Sequence, residues 1–330
     1  MTSGNGGARR GGIDLGGTKI QAVVVDSGNA VLAQARQPTP TTGGPGDVAA
    51  AMAAAMSEAA AQAGIETDAL AGVGVGSPGD VDPKGGTVTS ARNLPGWEGA
   101  FALGAALEEA LGTRAYLGND VQVATDAEFA LGAGRPYRSL LGVFWGTGVG
   151  GGIVLDGRPW TGRGVAGEIG HVVVRIGGER CGCGRLGCME AYAGRASMER
   201  RARRAHKKGA KTDLFKIMEQ RGRTRLMSGI WDRALKRGDP LATALVDEAI
   251  EALGAGVASV QNVLDVEAII LGGGLGIRLG EPYAMRVAEA MQPHLFNDLH
   301  PPAMHVAALG DLGGAIGAAL LASPAFDRVV

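Results

Sequence analysis

The chain has 330 residues, enough for one large or two ordinary domains with ample core. Hydrophobic residues make up 45% and charged residues 20%, a globular composition, and a net charge of −1 leaves no field that would draw nucleic acid as a general partner. No apolar stretch reaches the ~20 residues of a membrane span, so no membrane partner is expected, and Met1 to Arg10 lacks the apolar segment of a secretion signal and reads as a disordered polar tail.

Gly11-Gly12-Ile13-Asp14-Leu15-Gly16-Gly17-Thr18-Lys19 opens the fold, followed by a strand from Ile20 to Val25, a turn at Asp26-Ser27-Gly28-Asn29 and a returning strand from Ala30. Backbone N–H groups in the tight turn at Gly16-Gly17-Thr18 can ring a phosphate, with Thr18 and Lys19 adding a hydroxyl and a charge. Asp14, on the strand entering that turn, is placed to hold a magnesium ion through water. An ordinary glycine hairpin would look the same. A second copy of the layout shifts the balance: an apolar run from Leu140 to Trp145, the block Gly146-Thr147-Gly148-Val149-Gly150-Gly151-Gly152, apolar Ile153 to Leu155, then Asp156-Gly157. One recurrence is no solenoid. It reads as a duplicated lobe, with two turns gripping a nucleotide's phosphates from opposite sides.

Between the copies, helices are expected over Asp47 to Ala63 and Phe101 to Leu111, and short strands over Ala71 to Gly76 and Ala115 to Leu117. The loop Asn93-Leu94-Pro95-Gly96-Trp97 offers Asn93 as a ligand for a sugar hydroxyl. Gly118-Asn119-Asp120 follows a strand and opens a helix from Val121 to Gly132, where α/β folds put ligands. Asp120 on its own reads as a helix N-cap; beside two phosphate turns it reads as a general base.

All three cysteines fall in Cys181-Gly182-Cys183-Gly184-Arg185-Leu186-Gly187-Cys188, just after Gly167-Glu168-Ile169-Gly170-His171. Cys₃His is a standard closed tetrahedral zinc set, here His171, Cys181, Cys183 and Cys188. Inert buried thiols fit the polar, glycine-rich run poorly, and a disulfide would leave one cysteine over. The saturated ion would be structural, fixing Glu168, His171 and Glu190 as a pocket wall. Thiols gathered for metal point to a reducing compartment, the cytoplasm.

Beyond the cysteines a basic helix is expected from Ala191 to Lys211, with Arg200, Arg201, Arg203, Arg204, Lys207 and Lys208 on a solvated face or, as the sharper alternative, along a polyphosphate donor. A long amphipathic helix covers Leu241 to Leu264. A strand from Glu267 to Leu271 runs into a third glycine turn, Gly272-Gly273-Gly274, flat against an adenosine. Helices from Glu281 to Met291 and Gly313 to Leu321 flank a strand from Met304 to Ala308. The alternation argues α/β layers.

In this order, Asp14 to Lys19, Gly118 to Asp120, Gly146 to Gly152, Gly167 to His171, Cys181 to Glu190 and Gly272 to Gly274 resemble the ROK family of sugar kinases and repressors, over most of residues 11 to 323. The resemblance implies an actin-like, hexokinase-like (ribonuclease H-like) α/β fold of two lobes around a cleft: 11–118 completed by 311–330, and 119–310 with the zinc loop. It implies ATP- and Mg²⁺-dependent phosphorylation of a hexose, most like the bacterial glucokinases acting on the 6-hydroxyl of glucose. Alternatives are N-acetylmannosamine, N-acetylglucosamine, fructose or mannose, a polyphosphate donor, or a sugar sensor without catalysis. By the same resemblance Asp120 is the base, and Asn93, Asn119, Asp120, Glu168, His171 and Glu190 contact the sugar. Asp14, Gly16, Gly17, Thr18, Lys19, Thr147, Gly148, Gly273 and Gly274 hold the donor. A homodimer or homotetramer is expected. Asp14 lies too near the start for a repressor's DNA-binding domain to precede it. Gly194 departs from the family, which more often has a serine near that position.

Overall fold

The computed structural model describes residues 8–91 and 94–323. Residues 1–7, most of the expected tail, lie outside the described residues, as do Asn93 and residues 324–330. Three strands come first, β1 (Arg10–Leu15), β2 (Lys19–Val25) and β3 (Val31–Pro38), then helix α1 (Pro45–Gln62). Strand β4 (Val73–Ser77) leads to a small sheet of β5 (Asp80–Asp82), β6 (Thr87–Thr89) and β7 (Ala100–Phe101). Helix α2 (Leu103–Leu111), strand β8 (Ala115–Asn119) and helix α3 (Asp120–Leu131) follow. The second hairpin is β9 (Leu140–Trp145) and β10 (Val149–Leu155), trailed by the two-residue β11 (Arg158–Pro159). Helices α4 (Met189–Ala193), α5 (Arg195–Lys207), α6 (Leu214–Gln220), α7 (Ser228–Lys236) and α8 (Pro240–Leu264) come next. Strand β12 (Ala268–Gly272), helices α9 (Gly273–Leu279) and α10 (Glu281–Met291), strand β13 (Ala303–Val306) and helix α11 (Gly313–Leu321) complete the chain.

Two compact units result. The first takes the residues up to 135, 158–166 and those from 308; the second takes 136–157 and 167–307. Their main sheets have the same plan, ordered β3-β2-β1-β4-β8 and β11-β10-β9-β12-β13. In each, an antiparallel hairpin (β1–β2, β9–β10) is followed by two parallel strands laid beside its first strand.

In the first unit the central strands β1, β2 and β4 are buried on both faces, while the edge strand β3 is largely exposed. Helix α1 covers one face with Val48, Met52, Met56 and Ala59. Helix α11 covers the other, and it can do so only because glycines meet it: a Cβ at Gly12 or Gly74 would overlap the carbonyls of Ala315 or Ala318. Helix α3 was expected to open the second lobe. It lies with the first unit instead, because Gly317 of α11 sits against the Val123 carbonyl of α3 at a spacing no Cβ tolerates. Arg10, placed in the tail by the sequence, is a buried residue of β1 whose guanidinium donates to Asn29 Oδ1 at 2.6 Å and to the Asp26 carbonyl at 3.2 Å.

In the second unit, α8 is opened by Pro240 and by Asp239, whose carboxylate accepts from the Ala242 N–H at 2.8 Å. The expected single basic helix is two, since the chain breaks at Gly194 between α4 and α5. The third glycine block is not a turn. Gly272 ends β12 and Gly273 starts α9 directly, with a φ of +79° at Gly273. No helix among the described residues is long and apolar enough to cross a membrane.

Candidate functional site

The first unit carries the turn between β1 and β2. Gly16 N–H donates to the Lys19 carbonyl at 2.9 Å, and the Thr39 hydroxyl donates to the Gly16 carbonyl at 2.6 Å. This leaves the N–H groups of Gly17 and Thr18 without an acceptor among the described residues, both on the surface. Two adjacent open N–H groups in a tight turn form a concavity for an anion. Lys19 reaches Asp311 at 2.6 Å and Gln21 Oε1 at 2.8 Å. Asp14 lies beneath. Burial pushes its carboxyl up to about 6, against the pull of Lys19 and with some help from Asp311.

At the end of β8 lies Asp120, which reads as a helix N-cap in isolation and as a general base beside the two phosphate turns. In the structure Asn119 is the N-cap of α3, its Oδ1 accepting from Val121 N–H and Gln122 N–H, both at 3.1 Å. Asp120 is the first residue of the helix, half-buried, with Oδ1 accepting from Val121 N–H at 3.0 Å. With the cap supplied by its neighbour, the carboxylate of Asp120 is not needed for that purpose.

The second unit repeats the turn. Gly146 N–H donates to the Gly148 carbonyl at 3.0 Å, and Thr147 and Gly148 have no acceptor for their N–H groups among the described residues. A Cβ on Gly146 would lie 3.9 Å from Gly274 N, and one on Gly274 would lie 3.7 Å from Ser228 Oγ. The second turn, the start of α9 and the start of α7 therefore meet at one place. Beside them α7 and α9 line a cavity of about 350 Å³ with Arg221, Gly229, Asp232, Arg233 and Arg278 among its walls.

Glu190 joins this turn to the cysteines. One carboxylate oxygen accepts from Val149 N–H at 3.0 Å, and the other lies 3.6 Å from Cys181 Sγ. The segment bearing Glu168 and His171 runs along β10, because Gly167 adopts a φ of +89° and Gly170 faces the Val149 carbonyl too closely for any side chain. His171 Nδ1 is 3.8 Å from Cys181 Sγ, while Nε2 faces Glu168 at 3.7 Å. Cys183 and Cys188 are 3.8 Å apart, and all four ligand atoms lie within 4.8 Å of one another. Zinc–sulfur bonds of about 2.3 Å in a tetrahedron put ligand atoms about 3.8 Å apart, so the donor set fits a closed zinc site. Around it the hairpin is tied at Val173–Cys188 and Arg180–Leu186.

A family model described as the ROK family matches residues 10–325. The chain belongs to the ROK family. It is similar to a glucokinase of Thermotoga maritima, 31% identical over 86% of this chain and 88% of the relative. It is equally similar to the N-acetylgalactosamine kinase AgaK of a Shewanella strain, 31% identical over 94% and 95%. Among solved structures it resembles a ROK family glucokinase from Streptomyces griseus in complex with glucose and AMPPNP, at 31% identity and a TM-score of 0.81, covering 95% of this chain and 99% of that one. The fold of this ROK chain is accordingly the actin-like, hexokinase-like α/β fold, which the repeated sheet order expresses.

Within the ROK chain the structure gathers the expected residues into two groups. Asp14, Gly16, Gly17, Thr18, Lys19, Asn119 and Asp120 belong to the first unit; Thr147, Gly148, Glu168, His171, Glu190, Gly273, Gly274 and the cysteines belong to the second. Sequence reasoning missed Arg195. This buried guanidinium donates to Thr147 Oγ1 at 2.8 Å, but in the sequence it reads as one more arginine of a basic helix.

Proposed function

We propose that this ROK protein is an ATP-dependent sugar kinase that phosphorylates the 6-hydroxyl of glucose. The observation that carries the reading is the pair of open N–H groups found at the same point of two sheets with the same strand order, each suited to a phosphate. In this reading the turn at Gly16 to Lys19, with the turn at Gly146 to Gly148, grips the triphosphate, and the start of α9 receives the adenosine. Asp14 would hold Mg²⁺ through water. When bound, that ion neutralises charge on the phosphates. Asp120 takes the proton of the sugar hydroxyl as its oxygen bonds to the γ-phosphorus and the bond to the β-phosphate oxygen breaks. Asn93, Asn119, Glu168, His171 and Glu190 hold the sugar, the carboxylates using acceptor sites beyond their internal contacts.

His171, Cys181, Cys183 and Cys188 would hold a structural Zn²⁺, leaving His171 Nε2 for the sugar. The relatives act on different sugars, so the test is a panel of glucose, mannose, fructose and the N-acetylhexosamines with coupled detection of ADP. Glucose should show the highest kcat/KM. A preference for an N-acetyl sugar removes glucose but keeps the kinase, whereas no turnover with any sugar removes both. Asp120→Asn should lower kcat by about a thousandfold or more and change glucose affinity only a few-fold. Near-normal turnover in that variant would exclude Asp120 as the base.

A further inference from the structure

Arg195 is the first residue of α5, and the residue is only 7% exposed. Nη1 donates to the Leu226 carbonyl at 2.9 Å and Nη2 donates to Thr147 Oγ1 at 2.8 Å. The backbone adds two more ties, from Arg195 N–H to the Gly146 carbonyl at 3.1 Å and from Ala196 N–H to the Thr147 carbonyl at 3.0 Å. Other arginines of this helix meet carboxylates: Arg201 with Glu248, Arg203 with Glu199, Arg204 with Glu179. Arg195 makes no ion pair among the described residues, and nearby Glu199 is taken by Arg203 and the Leu226 N–H. Glu199 acts on this guanidinium only through space, and Arg225 opposes it, so an anion bound beside Thr147 would add favourable charge where the chain supplies no ion pair within 4.0 Å.

A hydroxyl has one proton and two lone pairs, and a guanidinium can only donate. Thr147 Oγ1 must therefore accept from Arg195, which leaves its own proton for another acceptor. Together with the open N–H groups of Thr147 and Gly148, three donors are then presented from a single turn. We infer that Arg195 is a positioning residue of the donor grip, fixing the Thr147 hydroxyl as an acceptor so that its proton faces a phosphoryl oxygen of the nucleotide. The inference rests on the reading of this chain as an ATP-using kinase and names a residue that reading does not use.

The test measures ADP and ATP affinity by calorimetry, which needs no turnover, alongside KM for each substrate. Arg195→Met should weaken nucleotide binding by about tenfold, leave the KM for sugar within about twofold, and have no further effect in a Thr147→Val background. Arg195→Lys should recover part of the loss. Thr147→Ser, which keeps the hydroxyl and is milder to the fold, should bind nucleotide within a few-fold of wild type, whereas Thr147→Val should match Arg195→Met. If Arg195→Met moves sugar and nucleotide constants together, or its effect persists in full on Thr147→Val, the residue is merely structural and the inference fails. If wild type binds no nucleotide at all, it is the kinase reading that fails.

Discussion

Asp126 lies in the middle of α3, 4% exposed, with Gln122 Nε2 donating to it at 2.7 Å. Burial pushes its carboxyl up to about 8, and the Gln122 contact only partly opposes this. Asp14 is raised to about 6 for the same first reason. In both cases the folded chain keeps a proton that the unfolded chain has released. Their contribution to stability is therefore complete below pH ~4 and is lost as pH rises, through about 6 for Asp14 and about 8 for Asp126. Asp126→Asn keeps the contact and removes the ionisation. Its melting temperature should match wild type near pH 4 and exceed it by a margin that widens up to pH ~8, the underlying free-energy gap growing by no more than roughly 1.4 kcal/mol per pH unit. Scanning fluorimetry across that range decides the matter, and parallel curves would contradict the burial argument. Asp14 stands out in the sequence because it is a carboxylate on a strand entering a glycine turn. No such sign marks Asp126, since a helix with acids at 120, 126 and 128 does not announce which of them turns inward.

The hairpin of residues 172–188 shows how a short element can be held from several sides. Tyr192 Oη accepts from Glu179 N–H at 2.8 Å, Arg204 makes two 2.8 Å bonds to Glu179, and Arg175 and Arg201 lie over the Tyr192 ring. These ties hold the strand from Arg175 to Glu179, while Cys181 and Cys183 lie at the tip and Cys188 at the base, opposite Val173. Removing one thiolate should therefore release the ion without unfolding the unit. Cys183→Ser is expected to lose about one equivalent of zinc per chain and, with His171 no longer held, most of the sugar affinity and turnover. Metal analysis and calorimetry with glucose check both halves, and an active wild-type preparation free of zinc would rule out the site. The cluster was legible because ligand type and spacing are local in sequence. The glycine hairpins and α11 were legible too, because turn residues bound them. The strands β5 to β7 escaped notice, since two or three residues are too few to show alternation. So did α6 and α7, each under ten residues in a stretch dominated by charge. Gly272-Gly273-Gly274 read as a turn because glycine signals a break in the chain but not whether a helix follows.

At the scale of the molecule, the repeated hairpin hinted at duplication, and the two sheets share one strand order. The partition of the chain was less legible, because the packing of α3 on α11 joins residues far apart in sequence. The same long-range pairing changes the meaning of the charges. Read along the chain, Arg200 to Lys211 is a basic track suited to a linear polyanion. Folded, Arg201, Arg203 and Arg204 are bound to Glu248, Glu199 and Glu179, and Arg200 donates to Ser197 Oγ at 2.9 Å. Lys207, Lys208 and Lys211 remain exposed and have no ion pair among the described residues, too few for a track and subject to screening by salt. ATP is therefore the expected donor. Inorganic polyphosphate should support less than roughly a hundredth of the ATP rate, a difference of about 2.7 kcal/mol in transition-state binding. Replacing the three lysines by alanine should leave kcat/KM for ATP within about twofold, because exposed charges at this range contribute little. Comparable rates with the two donors, abolished by the lysine substitutions, would mean that these three residues suffice as a polyphosphate track and that the internal pairing of the arginines does not decide the donor.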